Sequence, residues 1–225
     1  MKFSGIQKTS LIDFPDRVAT VLFATGCNLR CPYCQNWRIV VDPSPPFLSA
    51  EKVVQILEDR KMYLNAVVIT GGEPTIYADL PEFLKKLKEA GFDLKLDTNG
   101  FSPRVLKECL PYVDYVALDV KTSLSKYELL GAKHTNGLIR TVEILKEGTV
   151  EYEFRATVVP GFVDKEDIHR IGEIVKGGRL FVFQKFIPSD TLDKTFNDMK
   201  PYPLETIKIF SEHMKPYVDK VILRV

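Results

Sequence analysis

The sequence predicts an α/β fold made of repeated βα units, and three observations carry that prediction. Short runs rich in β-branched and aromatic residues recur along the 225-residue chain, as strands buried on both faces do. Amphipathic stretches with helical spacing fill the intervals between them. Hydrophobic residues make up 45% of the chain, enough for a full core without disulfides or structural metals. Repeated βα units form either a doubly wound sheet or a barrel, and periodicity leaves both open.

Val18–Ala24 (VATVLFA) is the first strand-like run. Ala66–Thr70, Leu94–Asp97, Tyr115–Val120, Tyr152–Val159, Leu180–Phe186 and Lys220–Val225 follow. Ser49 is placed to cap a helix carrying Val53, Ile56 and Leu57. Asp79 precedes Leu80, Phe83, Leu84 and Leu87 at i, i+3, i+4 and i+7, and Gly91 stops that helix. Ser102-Pro103 is a cap followed by proline at the first helical position. Leu138, Val142 and Leu145 form a stripe ended by Gly148, and Asp164 opens a helix with Ile168, Ile171 and Val175, ended by Gly177. Pro203 opens the last helix, with Ile207, Phe210 and Met214 inside. The order is a strand followed by about six αβ units. The proline-rich stretch Asp42–Phe47 reads as a stiff surface loop. With no low-complexity tract and no linker, residues 1–225 are expected to form a single domain.

Charge excludes some functions. Lys plus Arg is 31 and Asp plus Glu is 30, so no general electrostatic footprint for nucleic acid or an anionic membrane exists. The start, MKFSGIQKTSLIDFPD, lacks the apolar core of a signal peptide. No apolar run is long enough to span a bilayer. A soluble cytoplasmic protein is expected.

Three of the four cysteines fall within eight residues, in Cys27-Asn28-Leu29-Arg30-Cys31-Pro32-Tyr33-Cys34. This C-x3-C-x2-C follows the first strand-like run directly. In a reducing cytosol such a group points to metal or redox chemistry rather than disulfides. Three thiolates on one short loop can take three irons of a cubane cluster, leaving the fourth iron open to a small molecule. The alternative is structural zinc, which wants four Cys or His ligands, usually in two close pairs. The fourth cysteine, Cys109, lies in the apolar stretch VLKECLPY and reads as a buried small hydrophobe. His134, His169 and His213 are scattered, with none at ligand spacing. Cys27, Cys31 and Cys34 are therefore the candidate metal ligands.

C-x3-C-x2-C with an aromatic residue just before the last cysteine resembles the signature of the radical S-adenosylmethionine (radical SAM) superfamily. The resemblance implies a partial (β/α)6-type TIM barrel, one [4Fe–4S] cluster on Cys27, Cys31 and Cys34, and SAM as the second cofactor. In that family a reduced cluster cleaves SAM to methionine and a 5′-deoxyadenosyl radical, which takes a hydrogen atom from the substrate.

Four further motifs bear on it. Gly71-Gly72-Glu73-Pro74 ends the second strand-like run. Glycines there allow close approach to the backbone, and a carboxylate can accept from an ammonium. The resemblance makes this the segment that holds the amino group of SAM; a tight turn is the plain alternative. Asp97 and Asn99, in LDTNG, sit where a barrel opens its active-site mouth, and the resemblance puts both beside SAM. Asn-Gly is also a common Asx-type turn. Asp119 and Lys121, in LDVK, share a strand face; they resemble a SAM-contacting pair, or else form a strand-end ion pair. Arg155 and Val158, in RATVVPG, are implied SAM or substrate contacts, although core packing accounts equally well for Val158. Gln184 on the following strand and Tyr33 beside Cys34 complete the implied set, Tyr33 near the adenine or simply capping the loop.

Two features resemble the glycyl-radical enzyme activating enzymes in particular. One is the segment Lys8–Asp16 (KTSLIDFPD), where Asp16 stands in place of the usual glycine, so that turn is expected to differ. The other is Cys34-Gln35-Asn36, a Cys-x-Asn continuation that adds Asn36 to the implied cofactor contacts. No further cysteine-rich insert occurs, so a single cluster is implied. The implied partner is a glycyl-radical enzyme polypeptide, foremost anaerobic ribonucleotide reductase, with flavodoxin or ferredoxin as electron donor. Lys121 joins the three cysteines as an implied catalytic residue. A pyruvate formate-lyase-type activase is the near alternative, and a small-molecule enzyme like 7-carboxy-7-deazaguanine synthase or a zinc-stabilised binding module are more distant ones. The stretch Asp190–Met199 carries no recognised motif and, being polar, is expected to be a mobile loop near the partner site.

Overall fold

A computed structural model describes residues 1–224. These divide into two compact units. The first holds Met1–Asn28, Asn36–Thr98 and Ser102–Val116; the second holds Leu29–Gln35, Asn99–Phe101 and everything from Ala117 onward.

In the first unit the chain forms β1 (Lys2–Phe14), β2 (Arg17–Ala24), α1 (Trp37–Val41), β3 (Leu48–Ser49), α2 (Ala50–Arg60), β4 (Ala66–Gly71), α3 (Leu80–Glu89), β5 (Asp93–Thr98) and α4 (Pro103–Cys109). Strand β6 (Tyr115–Asp119) starts here and ends in the second unit. The order across this sheet is β3-β1-β2-β4-β5. Strands β2, β4 and β5 run parallel, with Ala24 opposite Gly71 and Ile69 opposite Leu96. Their inner residues Val21, Leu22, Val67, Val68, Ile69, Leu94 and Leu96 are almost wholly buried, which is why the runs read as continuous rather than alternating. On α3 the expected stripe of Leu80, Phe83, Leu84 and Leu87 is buried. Ser49 caps α2 as expected, accepting from the Lys52 amide.

The unforeseen elements are β1, β3 and the short α1. Strand β1 mixes polar and apolar residues and buries only Phe3, Ser10 and Phe14. Its backbone bonds to β2, rather than an apolar face, hold it in place. The run Val18–Ala24 is thus the second strand. The hairpin closes through Pro15-Asp16, with Phe14 opposite Arg17. Asp16 takes the left-handed conformation (φ 58°) that a glycine would adopt freely.

In the second unit the rest of β6 leads to α5 (Asn136–Glu147), β7 (Glu151–Val158), α6 (Lys165–Val175), β8 (Gly178–Lys185), α7 (Leu204–Met214) and β9 (Val218–Arg224). Strands β7, β8 and β9 are parallel neighbours. Helix α6 starts with a full capping box, Asp164 and Asp167 each accepting from the other's backbone amide. The last predicted strand is present, although its final residue, Val225, lies outside the described residues. From β2 onward the alternation of strands and α-helices is the predicted strand plus six αβ units, with α1, β3 and short 3-10 turns interposed. No helix among the described residues is long and apolar enough to cross a membrane.

Candidate functional site

The first unit places Cys27 three residues beyond the end of β2, half-buried. Its loop is pinned to the glycines that end β4. Gly72 N donates to Ala24 O and Glu73 N to Gly26 O, both at 2.9 Å. A Cβ on Gly72 would lie 1.8 Å from Gly26 O, and one on Gly71 (φ 106°) about as close to the Phe23 and Ala24 backbone as 2.6 Å. Both glycines are therefore required by the approach of the loop, whatever else they contact. Asn36 donates from Nδ2 to Gly71 O at 2.9 Å, tying the far side of the cysteine motif to the same turn.

Glu73 is 1% exposed. Its Oε1 accepts from Thr75 N (3.0 Å), Thr75 Oγ1 (2.5 Å) and Thr98 Oγ1 (2.8 Å). These bonds fix a buried carboxylate in one orientation. Pro74 follows it in a short 3-10 turn and is buried. Asp97, at the end of β5, is buried and paired with the ammonium of Lys95, itself 1% exposed. Lys95 and Asp97 share a strand face, and a charged pair at this depth was not foreseen. Cys109 lies at the end of α4, fully buried, and burial pushes its thiol up to about 12. It is a core residue, as expected.

The second unit holds Cys31, buried, and Cys34, half-buried, joined by a turn in which Cys34 N donates to Cys31 O at 3.0 Å. Tyr33 stacks edge-on against Phe162 (5.1 Å between centroids) and faces Phe196 at 6.2 Å. Burial, followed by the neighbouring Cys31, raises the Tyr33 hydroxyl well above its ordinary pKa, so it stays neutral. Asn99 is buried and its Oδ1 accepts from Phe101 N at 3.1 Å: the Asx turn forms. Val158 is buried in the core.

A chain of charges runs along β6, β7 and β9. Lys121 Nζ lies 3.1 Å from Asp119 Oδ2, and Arg155 Nε donates to Asp119 Oδ1 at 2.6 Å. Beyond Arg155, at 4.0 Å, is the fully buried Glu153, which takes a two-pronged bond from Arg224 at 2.7 and 2.6 Å. Burial opposes the charge on Asp119, but Arg155 and Lys121 outweigh it and hold the carboxyl well below the usual range. Burial likewise opposes the charge on Lys121, yet Asp119, then Cys31 and Tyr33, keep its ammonium protonated. The Lys121 amide also donates to the buried Tyr127 hydroxyl at 2.9 Å. Gln184 sits half-buried on β8 and joins none of these bonds. Glu153, Arg224 and Tyr127 escaped the sequence reading because none stands in a recognised motif.

Two expectations are corrected. His169 and His213 are not scattered: α6 and α7 bring their rings to 5.3 Å, with His169 Nδ1 3.3 Å from Tyr217 Oη. The segment Asp190–Met199 is a hydrogen-bonded turn with a short 3-10 helix, Lys194–Phe196, and a buried Phe196, rather than a loose loop.

The donor chemistry fits an iron–sulfur cluster with an amino-acid ligand. None of the four cysteines is joined in a disulfide among the described residues, and three follow one another in a single loop of the sequence. Among the described residues no three His, Cys, Asp or Glu side chains converge as on a single ion, whereas a cubane takes each thiolate on a different iron. In the first unit the buried carboxylate of Glu73 is a group that accepts from an ammonium. In the second, the half-buried Asp119, Lys121 and Arg155 offer partners for an ammonium or a carboxylate.

Comparison with known proteins agrees. The profile of the radical SAM superfamily matches residues 21–172. A Methanocaldococcus jannaschii protein, provisionally named a glycyl-radical enzyme activating enzyme, is 35% identical over 231 residues, spanning 98% of this chain and 95% of that one. The pyruvate formate-lyase-activating enzyme of Clostridium pasteurianum is 29% identical over 233 residues, 98% of this chain and 96% of its own. The crystal structure of Streptococcus suis SuiB bound to S-adenosylmethionine superposes with a TM-score of 0.68 at 19% identity, over 90% of this chain and 49% of SuiB, so the chain spans about half of that protein. That likeness shows the fold, the α/β fold of the radical SAM kind. Members of the superfamily use a [4Fe–4S] cluster and SAM. The chain belongs to the radical SAM superfamily, as an enzyme of its glycyl-radical activase family.

Proposed function

We propose that this enzyme installs a glycyl radical on anaerobic ribonucleotide reductase, drawing its electron from a flavodoxin or ferredoxin in the cytoplasm. The observation that carries the activase reading is the full-length likeness to activating enzymes. A pyruvate formate-lyase is the second reading, favoured by the Clostridium relative. Residues 1–225 act as one catalytic domain in this reading, which the alignment of the activating enzymes over 98% of the chain supports.

Cys27, Cys31 and Cys34 would hold the cluster. When bound, cluster and SAM together supply a 5′-deoxyadenosyl radical able to take a hydrogen atom from a substrate. The chain's own residues bind and orient. Glu73, fixed by Thr75 and Thr98, accepts from the ammonium of SAM, and Lys121 anchors its carboxylate. Asp119, held ionised by Arg155 and Lys121, accepts from ammonium or ribose, and Asp97 and Asn99 border the same ligand. Tyr33, Asn36, Gly71, Gly72, Pro74, Val158 and Gln184 shape its surroundings. A glycine Cα–H suits hydrogen abstraction because the flanking amides stabilise the product radical.

The test is anaerobic reconstitution with iron and sulfide, addition of dithionite and SAM, and quantification of 5′-deoxyadenosine. Product that disappears in Cys31→Ala supports the assignment; equal cleavage by that variant sinks it. Incubation with each partner then separates the readings: a glycyl-radical EPR signal on the reductase alone supports the first, and one on pyruvate formate-lyase alone replaces it.

A further inference from the structure

The segment Asp190–Asn197, which no motif marks, is built onto the cysteine loop. Within the second unit, Leu192 N donates to Cys34 O at 3.0 Å and Asp193 N to Pro32 O at 2.8 Å. Gln35 Nε2 donates to Ile187 O at 2.6 Å from the other side. Phe196 packs on Phe162 at 6.0 Å and on Tyr33 at 6.2 Å, the residue between Pro32 and Cys34. The cysteine loop thus receives two backbone bonds and one aromatic contact from a single turn. The loop has neither helix nor strand of its own from Leu29 to Cys34.

The turn is stiff for local reasons. Thr191 is fully buried. Its hydroxyl lies 2.7 Å from both Asp193 O and Asn197 Oδ1, and its amide donates to Asn197 Oδ1 at 3.0 Å. Asp193 Oδ1 accepts from Thr195 N (2.9 Å) and Thr195 Oγ1 (2.8 Å), starting the 3-10 helix that carries Phe196. Lys194 Nζ closes the turn on Asp190 Oδ1 at 2.6 Å and Thr191 O at 2.7 Å. Thr191 thus aims the 192 and 193 amides at the two carbonyls of the cysteine loop.

We propose that the Asp190–Asn197 turn is a clamp on the cysteine loop, with Thr191 as its positioning residue, and that it sets how long the enzyme retains its cluster. The proposal rests on the reading that Cys31 and Cys34 ligate that cluster. A loop without secondary structure lets its ligands exchange unless something outside it fixes the backbone. Here Arg30 N donates to Leu130 O at 2.8 Å before Cys31, and the stretch from Pro32 to Cys34 is held by the two amides of this remote turn.

The experiment uses the full reconstituted protein. Iron and sulfide per chain are measured in wild type, Thr191→Val and Thr191→Ser, and then the loss of the cluster's visible absorbance is followed anaerobically under excess chelator. A core variant remote from the loop, Val142→Ala, controls for general destabilisation, at a temperature where every apo-protein is folded. Thr191→Val is expected to take up the same iron and lose it about fivefold faster, the effect of one hydrogen bond of ordinary strength. Thr191→Ser, which keeps the hydroxyl, should match wild type, and Val142→Ala should lose iron no faster than wild type. Equal loss from Thr191→Val and wild type, or equally fast loss from Val142→Ala, overturns the clamp. Wild type that takes up no iron fails the underlying cluster assignment instead, and is read from the first measurement alone.

Discussion

Replacing Gly72 with alanine tests whether the glycine pair serves packing or only ligand access. The new Cβ would sit 1.8 Å from Gly26 O and 2.7 Å from Gly26 C. Both are backbone atoms, so no rotamer change relieves the contact, which falls about 1.5 Å short of ordinary van der Waals separation. The two segments must part, and parting them stretches the Gly72 N–Ala24 O and Glu73 N–Gly26 O bonds, now 2.9 Å each. Each bond contributes about 1 kcal/mol net, and overpacking a tight contact adds about 1–3 kcal/mol. The expected loss is about 3–5 kcal/mol, read from urea denaturation of the reduced apo-protein. Gly161→Ala is the comparison: its Cβ would meet nothing within 4 Å, and its φ of 84° alone opposes the change, at about 1–2 kcal/mol. A loss below about 1 kcal/mol for Gly72→Ala would refute the reasoning, since the Gly26 carbonyl would then have yielded freely.

The other predictions use the same apo-protein. Asp119 titrates well below the usual carboxylate range because Arg155 and Lys121 outweigh its burial; this depressed value adds stability that is fully present above about pH 4 and lost as pH falls through the folded value. Arg155→Met should move the acid limb of a stability–pH curve upward, and an unmoved limb would count against the pair. Cys109, with its thiol pushed up to about 12 by burial, should resist alkylation in the folded protein at mild alkaline pH, and Cys109→Ala should leave iron uptake unchanged; loss of iron would make it a ligand. Asp16→Gly should stabilise by about 0.5–1 kcal/mol, because φ is 58° there; a loss of stability would show that the Asp16 side chain contributes more than its backbone strain costs.

The core strands were legible because parallel strands buried on both faces leave unbroken apolar runs, as in Ala66–Ile69 and Val116–Leu118. Helices were legible from stripes such as Leu80, Phe83, Leu84 and Leu87. Strand β1 was not, because a strand held by backbone bonds to its neighbours needs no apolar face, and KFSGIQKTSLIDF shows little of one. At the site, the motif residues were readable and their partners were not. Thr75 and Thr98 reach Glu73 from 2 and 25 residues away, and Glu153 meets Arg224 across 71. Such pairs depend on which strands become neighbours, and no local pattern records that. Thr191 is the extreme case: a buried threonine in a polar stretch, whose effect passes through two backbone amides.

The charge chain shows how Arg155 bears on its neighbours at the candidate site. Lys121, Arg155 and Arg224 are three cations set against Asp119 and Glu153. Glu153 is fully buried, and each of its carboxylate oxygens accepts from Arg224, so it is satisfied at the far end. Asp119 takes its shorter bond from Arg155, at 2.6 Å against 3.1 Å from Lys121. Lys121, at the end of the chain, therefore shares its carboxylate with a stronger competitor. An ammonium whose counter-charge is already engaged attracts a further anion, which in the proposed function is the carboxylate of SAM. Arg155 thereby weakens the hold of Asp119 on Lys121, and it keeps Asp119 ionised at the same time. Both effects follow from one guanidinium placed between two carboxylates.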